Sequence, residues 1–425
     1  MTPAFHDRRP LRVAINCPFV PGRGLGGLET FVMGLVHALG RLNDDDTEYV
    51  VVGPVEEPDW ITPFLGSNQR VVVQSPERRS RRSLRARAAA LLRPTTVPQV
   101  PVSSGFLESL ACDVVHFPYQ HYVICALPSV YNPHDLQYFY YPQYFTPAEL
   151  AWREKVDHAG CRFATALTVS SRWVKRDLVR HFAAPADKIH IIPDAPPTQA
   201  YSEPTPEQSD AVRTRYDLLE PFALYPAMTW EHKNHLRLLD AVAHLRDANG
   251  LTIRVICTGH QNRFWPQVEA RIQALRLEHQ VRFLGMVPAV DLRAIYRLAQ
   301  FVVIPTLFEA SSAPLLEAWN DDTPTACSTV TALPEQAGDA ALLFDPHSVP
   351  AIAGAMARLA TDASLRETLR RKGRARLQRF SWERAARGYR AAYRRAADRV
   401  LNEEDQALLA DDWSRQEAVE ARHAD

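Results

Sequence analysis

Residues 301–319 read FVVIPTLFEASSAPLLEAW. The run from Phe301 to Ile304 is short, apolar and rich in β-branched side chains, which predicts a buried parallel strand. A loop follows with Glu309, the small residues Ala310, Ser311, Ser312 and Ala313, and then Pro314, a residue favoured at the first position of a helix. Leu315, Leu316 and Ala318 continue that helix, so Glu317 falls about one turn inside it. Two carboxylates therefore bracket a loop at the carboxyl end of a parallel strand, where α/β sheets hold their ligands. Each can accept hydroxyl hydrogen bonds worth about 1.5–3 kcal/mol when water is excluded, and the helix N-terminus faces an anion such as a diphosphate. The same pattern fits a solvated loop acid at Glu309 and a first-turn acid at Glu317 favoured by the helix dipole. Taken alone, it leaves both readings open.

Alternation continues on either side of this stretch. Strands are predicted at 222–226, 251–258, 281–284 and 324–328, with helices at 234–249, 291–299, 349–360 and 365–379. Lys233, in AMTWEHKNH, lies between a strand end and a helix start. There its ammonium and the helix dipole can both address a diphosphate. Residues 194–210, DAPPTQAYSEPTPEQSD, lack periodicity and are rich in Pro, Ser and Thr, which marks a domain boundary.

The first half alternates in the same way. A strand at 11–16 leads through CPFVPGRGLGG to a helix at about 28–42. Gly22, Gly24 and Gly27 match G-x-G-x-x-G, with Asp44, Asp45 and Asp46 about twenty residues on. Pro18 and Pro21 separate these glycines from the strand, however, and the tight turn of a dinucleotide fingerprint is absent. Further strands are read at 113–117, 129–132, 166–170 and 189–193, with helices at 147–163 and 171–181, Ser171 acting as cap. His116 reads as structural. His134 follows a strand in PHDL and precedes the aromatic residues Tyr138, Phe139, Tyr140, Tyr141, Tyr144 and Phe145, which suit either an acceptor platform or the core.

Lys plus Arg equal Asp plus Glu at 49 each over 425 residues, which gives no global field for nucleic acid. The six cysteines are scattered singly, as buried apolar residues of a reducing compartment. No apolar run reaches the ~18 residues of a membrane span, and the N-terminus lacks a signal-peptide core. A cytoplasmic protein is expected. Residues 77–94, ERRSRRSLRARAAALLRP, form a basic amphipathic pattern, so Arg78, Arg79, Arg81, Arg82, Arg85 and Arg87 are candidates for peripheral contact with an anionic membrane.

The Glu309-x7-Glu317 spacing resembles the signature of the retaining glycosyltransferases of family 4. The resemblance extends over about 11–400 and is strongest over 222–345. It implies the GT-B fold: α/β, with two Rossmann-like domains facing across a cleft. An acceptor-side domain would span 1–200 and a donor-side domain 201–380, followed by a helix at 381–401 crossing back and a charged tail at 402–425. By position in the family, Glu309 lies against the donor sugar, Glu317 on the ribose, and Lys233 on the phosphates. Gly285, Met286 and Val287 hold the base, Ser312 and Ala313 adjoin the donor, His134 faces the sugar, and Gly26, Gly27 and Glu29 border the cleft.

Two departures stand out. Ala227 replaces an arginine that many members carry six residues before the lysine, and Ala310-Ser311-Ser312 replaces Gly-Phe-Gly. His232 and His235 are the neighbouring candidates to supply the missing positive charge. The implied activity is metal- and cofactor-independent transfer of a hexose from a nucleotide sugar, GDP-mannose or a UDP-sugar, to a hydroxyl of a glycan or lipid-linked acceptor with retention. The alternatives are a nucleotide-sugar epimerase of the same fold, a non-catalytic nucleotide-binding homologue, and an NAD-dependent oxidoreductase using the first glycine loop.

Overall fold

A computed structural model of the chain describes residues 9–21, 27–42, 46–74, 99–196 and 202–410. The chain forms two compact units, passing from the first to the second after Ile192 and returning after Trp382.

The first unit is built on a seven-stranded sheet: β1 (Leu11–Asn16), β2 (Thr47–Gly53), β3 (Gln69–Val73), β4 (Val114–Phe117), β5 (Ser129–Tyr131), β6 (Ala166–Val169) and β7 (Ile189–Ile191). Their order is β3-β2-β1-β4-β5-β6-β7, and every pairing is parallel. The central strands are buried along nearly their whole length, which explains their apolar, non-alternating sequences. Strand order reverses between β1 and β4.

The helix Pro147–Phe163 begins at a capping box formed by Thr146 and Glu149, with Pro147 in its first turn. Gly160 of this helix meets Tyr131 of β5 so closely that an added Cβ would lie 2.2 Å from the ring. Among the expected helices, the basic pattern at 77–94 lies outside the described residues.

The last part of the chain completes this unit. Helix Trp382–Ala396 buries Tyr389 and Tyr393. Tyr389 OH accepts from Asn132 Nδ2 at 3.0 Å, and Tyr393 OH lies 2.9 Å from His116 Nδ1, giving His116 the structural place its sequence suggested. The helix ends at Ala396 rather than near 401. Residues 402–410 are also no mere tail: a second helix, Glu403–Ala410, buries Asp405 completely against Arg394 Nη1 at 2.9 Å.

The second unit carries a six-stranded parallel sheet of β8 (Phe222–Pro226), β9 (Arg254–Thr258), β10 (Val281–Phe283), β11 (Phe301–Ile304), β12 (Thr325–Ser328) and β13 (Leu342–Phe344). The order β10-β9-β8-β11-β12-β13 puts its reversal between β8 and β11. It is the doubly wound order, whose ligands lie beyond the carboxyl ends of the two strands at the reversal. Helix Pro206–Arg215 extends into the stretch expected to be wholly linker, starting from a Thr205–Gln208 capping box. All six cysteines are free, five of them buried, as their scatter implied.

Candidate functional site

Loops that leave the carboxyl ends of the second sheet are tied to one another by backbone hydrogen bonds. Thr229 N donates to His260 O at 3.2 Å, Gly259 N to Gly285 O at 2.8 Å, and Leu307 N to His232 O at 2.7 Å. The first joins the loops after β8 and β9, the second those after β9 and β10, and the third those after β8 and β11. Gly259 is required for this closeness. With φ +116, a side chain there would bring its Cβ within 2.8 Å of the Ala227 carbonyl carbon.

Lys233 ends the short turn Glu231–Lys233, and its own carbonyl accepts from Tyr225 OH at 2.7 Å. Asn234 follows in the left-handed region at φ 61, and its Nδ2 donates to Pro305 O at 2.8 Å and Pro346 O at 3.0 Å. Thus Lys233 is held from both sides, and its Nζ meets Glu309 Oε1 at 2.6 Å. The two side chains are 18% and 10% exposed. In this setting a salt bridge is screened little by solvent. The residues singled out at the ends of β8 and β11 therefore meet at the switch point.

Glu309 is gripped through its backbone. Its N–H donates to Thr331 Oγ1 at 3.0 Å, while its carbonyl accepts from that hydroxyl at 2.5 Å and from Ala332 N at 3.2 Å. Ser312 is fully buried, its N–H donating to Gln336 Oε1 at 2.8 Å and its carbonyl accepting from Gln336 Nε2 at 3.1 Å. Ala313 opens the helix Ala313–Asn320, with Pro314 in its first turn. Thr331 and Gln336 escaped the sequence reading. Gln336 lies in the short helix Leu333–Ala337, and no pattern of the sequence singled it out.

Glu317 is half-buried on that helix, and Tyr296 OH donates to its Oε2 at 2.6 Å. Burial pushes the Glu317 carboxyl above the usual carboxylate range, opposed by the Tyr296 hydroxyl and reinforced by the charge of Asp321. Asp321 is in turn paired with Arg297 at 2.9 Å and Arg293 at 3.3 Å. Gly285 stands at φ 68 with open space where a Cβ would project, Met286 is strongly exposed, and Val287 is partly so. The structure thus brings Lys233 and Glu309 into contact, sets Glu317 one turn inside the helix that starts at Ala313, and joins the Gly285 loop to the loop after β9 through Gly259.

The two histidines named as candidates for the charge missing at Ala227 are held toward the neutral form. Burial lowers His235 to about 3 and His232 well below its ordinary value, the Lys233 charge adding to both. Among the described residues, no group of three or more His, Cys, Asp and Glu side chains is arranged to hold a metal ion.

In the first unit, His134 has φ 59 and packs edge-on against Phe31 at 4.9 Å. Its backbone N–H donates to Asn132 Oδ1 at 3.0 Å. Ring Nε2 donates to Pro118 O at 2.7 Å, since a carbonyl can only accept. Gly27 begins the helix Gly27–Arg41 with nothing within 4 Å of its Cβ direction. Tyr138 belongs to the core, its hydroxyl bonded to Asp157, whereas Tyr141 and Tyr144 stack on each other closer to the surface.

Two family models match the chain. Residues 25–199 fit the one described as Glycosyltransferase Family 4, and residues 221–362 the one described as Glycosyl transferases group 1. The chain belongs to this glycosyltransferase family. O-antigen chain mannosyltransferase B of Escherichia coli is 31% identical over 255 residues, covering 59% of this chain and 66% of that protein. A D-inositol 3-phosphate glycosyltransferase of Corynebacterium glutamicum is 28% identical, covering 56% of this chain and 59% of that protein. The chain therefore spans about two thirds or less of the length of these curated relatives.

Among solved structures, sucrose-phosphate synthase from Thermosynechococcus elongatus superposes with a TM-score of 0.67 at 19% identity, over 90% of this chain and 98% of that one. WaaG, a glycosyltransferase involved in lipopolysaccharide biosynthesis, does so with 0.63 at 16%, over 89% and 98%. The fold of the glycosyltransferase is accordingly GT-B, with two α/β units each built on a parallel sheet.

Proposed function

We propose that the protein transfers a hexose from a nucleotide sugar to a hydroxyl of a glycan or lipid-linked acceptor, with retention at the anomeric carbon. The observation that carries this reading is the Lys233–Glu309 pair, 2.6 Å apart at the reversal point of a doubly wound sheet. Lys233 is assigned to the donor diphosphate, where a fixed positive charge stabilises the leaving group. Glu309 is assigned to the sugar, Glu317 to the ribose, and Gly285, Met286 and Val287 to the base. Ala313 presents the helix start to the phosphates, with Ser312 anchoring the loop beneath it. His134 is the sugar-contacting candidate of the first unit.

In the proposed step, the bond between the anomeric carbon and the phosphate oxygen breaks while one to the acceptor oxygen forms on the same face. The acceptor proton passes to the departing phosphate. Charge stabilisation is assigned to protein groups, with no resident metal or cofactor. The identity shared with the O-antigen chain mannosyltransferase favours mannose as the sugar.

Nucleotide release from GDP-, UDP-, ADP- and dTDP-sugars tests the reading, with Lys233→Ala and Glu309→Ala as controls. Slow hydrolysis of one donor, abolished in both variants, is the expected result. Conversion of the sugar without nucleotide release would replace the proposal by an epimerase, and nucleotide binding without turnover of any donor, even with acceptor extracts, by a binding protein.

A further inference from the structure

A diphosphate brings more than one negative charge, and the loops beyond the carboxyl ends of the second sheet have no net charge to meet it. Over the loops after β8, β9, β10, β11 and β12, residues 227–234, 259–264, 284–288, 305–312 and 329–332, the permanent cations are Lys233 and Arg263 and the carboxylates are Glu231 and Glu309. Their formal sum is zero. Burial holds His232 toward the neutral form. Arg237 lies in the first turn of the helix His235–Asn249, where its Nη1 donates to Asn234 Oδ1 at 3.0 Å.

Each cation of the loops faces one carboxylate, and the two pairs differ. Lys233 Nζ meets Glu309 at 2.6 Å with both side chains largely covered. Arg263 Nε stands 3.8 Å from Glu231 Oε1, longer than a hydrogen bond, and the Arg263 side chain is 55% exposed. An ion pair so open to solvent contributes little, so the guanidinium leaves it at small cost. Glu231 opens the short turn that Lys233 ends, which holds Arg263 against the segment presenting the lysine. The guanidinium carbon also lies 5.9 Å from the centre of the Trp230 ring.

The loop of Arg263 is fixed to the loop of Lys233 through Asn262. Its N–H donates to Thr229 Oγ1 at 2.9 Å, and its Oδ1 accepts from Thr229 Oγ1 at 3.1 Å and from Phe264 N at 3.0 Å. A backbone N–H can only donate, so the amide oxygen is the atom facing Phe264, and Asn262 Nδ2 is left buried with no hydrogen-bond partner among the described residues. An unmet buried donor beside Arg263 points to an acceptor that arrives at this loop.

We propose that Arg263 is a second phosphate-binding residue of the donor site, turning from Glu231 to the phosphate oxygens when the nucleoside diphosphate enters while Lys233 is shared between the phosphates and Glu309. A guanidinium can grip two oxygens at once, which an ammonium acting as a point charge does not. The assignment rests on the nucleotide-sugar reading of this site.

Calorimetric titration of the full chain with GDP, UDP, ADP and dTDP, and with the monophosphate of whichever binds, tests it. Arg263→Ala should weaken the diphosphate by about tenfold and the monophosphate less, so that the preference for the diphosphate shrinks. Arg263→Lys should recover part of the loss. Glu231→Gln removes the competing charge and should leave diphosphate affinity equal or higher. The unfolding midpoint without nucleotide should stay at the parent value in all three. Equal weakening of diphosphate and monophosphate, or a loss that follows a lowered midpoint, would overturn the proposal and make Arg263 a brace of the loop. Unchanged diphosphate affinity in Arg263→Ala, where Lys233→Ala loses it, would overturn the Arg263 assignment alone. A parent chain that binds none of the nucleotides would bring down the nucleotide-sugar reading and this assignment together.

Discussion

Lys233 can serve two anions, and Glu309 is one of them. A diphosphate arriving at the switch point must compete with, or share, that carboxylate. Replacing Lys233 by Ala is therefore expected to weaken nucleotide binding and cut turnover by about 10²–10³-fold, the loss typical of one preorganised electrostatic group. Glu309→Gln should separate the two effects. It keeps the shape of the side chain, frees the ammonium, and so should leave nucleotide affinity unchanged or tighter while turnover falls. Calorimetric titration with nucleotide diphosphates beside donor hydrolysis checks the split; parallel loss of both would mean that the glutamate merely holds the lysine in place. Gly259→Val tests the loop contact beneath this pair. The Cβ overlap with the loop at Ala227 and the positive φ should cost about 1–3 kcal/mol, read as a lower unfolding midpoint together with weaker nucleotide binding.

Elements differ in how openly their sequences declare them. The strand–loop–helix around Glu309 was legible because three local signals agree: an apolar β-branched run, small residues, and a proline at the helix start. The Lys233 junction was legible for the same reason. The pairing of Lys233 with Glu309 was not, since 76 residues separate them and only the order of β8 and β11 brings them together. β3 begins with Gln69 and Arg70 and sits at a sheet edge, so its apolar run is brief. Helix Trp265–Ala274 buries only Val268 and Ile272, too few positions for a period to show.

Helix Glu403–Ala410 is the instructive miss. Its one buried position is an acid, Asp405, and a sequence rich in acids reads as solvated until Arg394 is known to face it. Asp405→Ala should accordingly destabilise the chain by about 1–3 kcal/mol, the cost of removing one partner from a buried network, since Arg394 keeps its pairing with Asp46 at 2.8 Å. Chemical denaturation measures this, and a change below 1 kcal/mol, about the worth of a surface pair, would show that the ion pair carries little of the helix docking.

Across the whole molecule, buried titratable groups set how stability varies with pH. His116 is pushed to about 3, His190 to about 4 and His235 to about 3, in each case chiefly by burial. Each native value lies below the ~6.5 of an unfolded histidine. Their contribution is complete above that value and is lost as pH falls toward 3–4, because the unfolded chain binds the proton first. Asp157, buried beneath Tyr131 and Tyr138, runs the other way. Its carboxyl is raised to about 7, so its contribution is present below the ~3.9 of an unfolded aspartate and is lost as pH rises through 7. Acidification from pH 7 to 4 should lower the unfolding midpoint, with Asp157 blunting the slope. Asp157→Asn should make the fall steeper, and a series of thermal melts across that range reads both.

The return of the chain to its first unit after Trp382 also imposes an order in time. Tyr389 and Tyr393 fill the space beside His116, Asn132 and Phe31, so the earlier-synthesised sheet lacks part of its core until these two residues have been made. At roughly 5–20 residues per second, the intervening stretch of about 190 residues delays that closure by about 10–40 s. During translation the second unit has all of its own described strands before the first receives the helix Trp382–Ala396. The nascent first unit must therefore wait with an open apolar face, and a ribosome stalled before Glu383 would leave on the growing polypeptide a surface that invites chaperones.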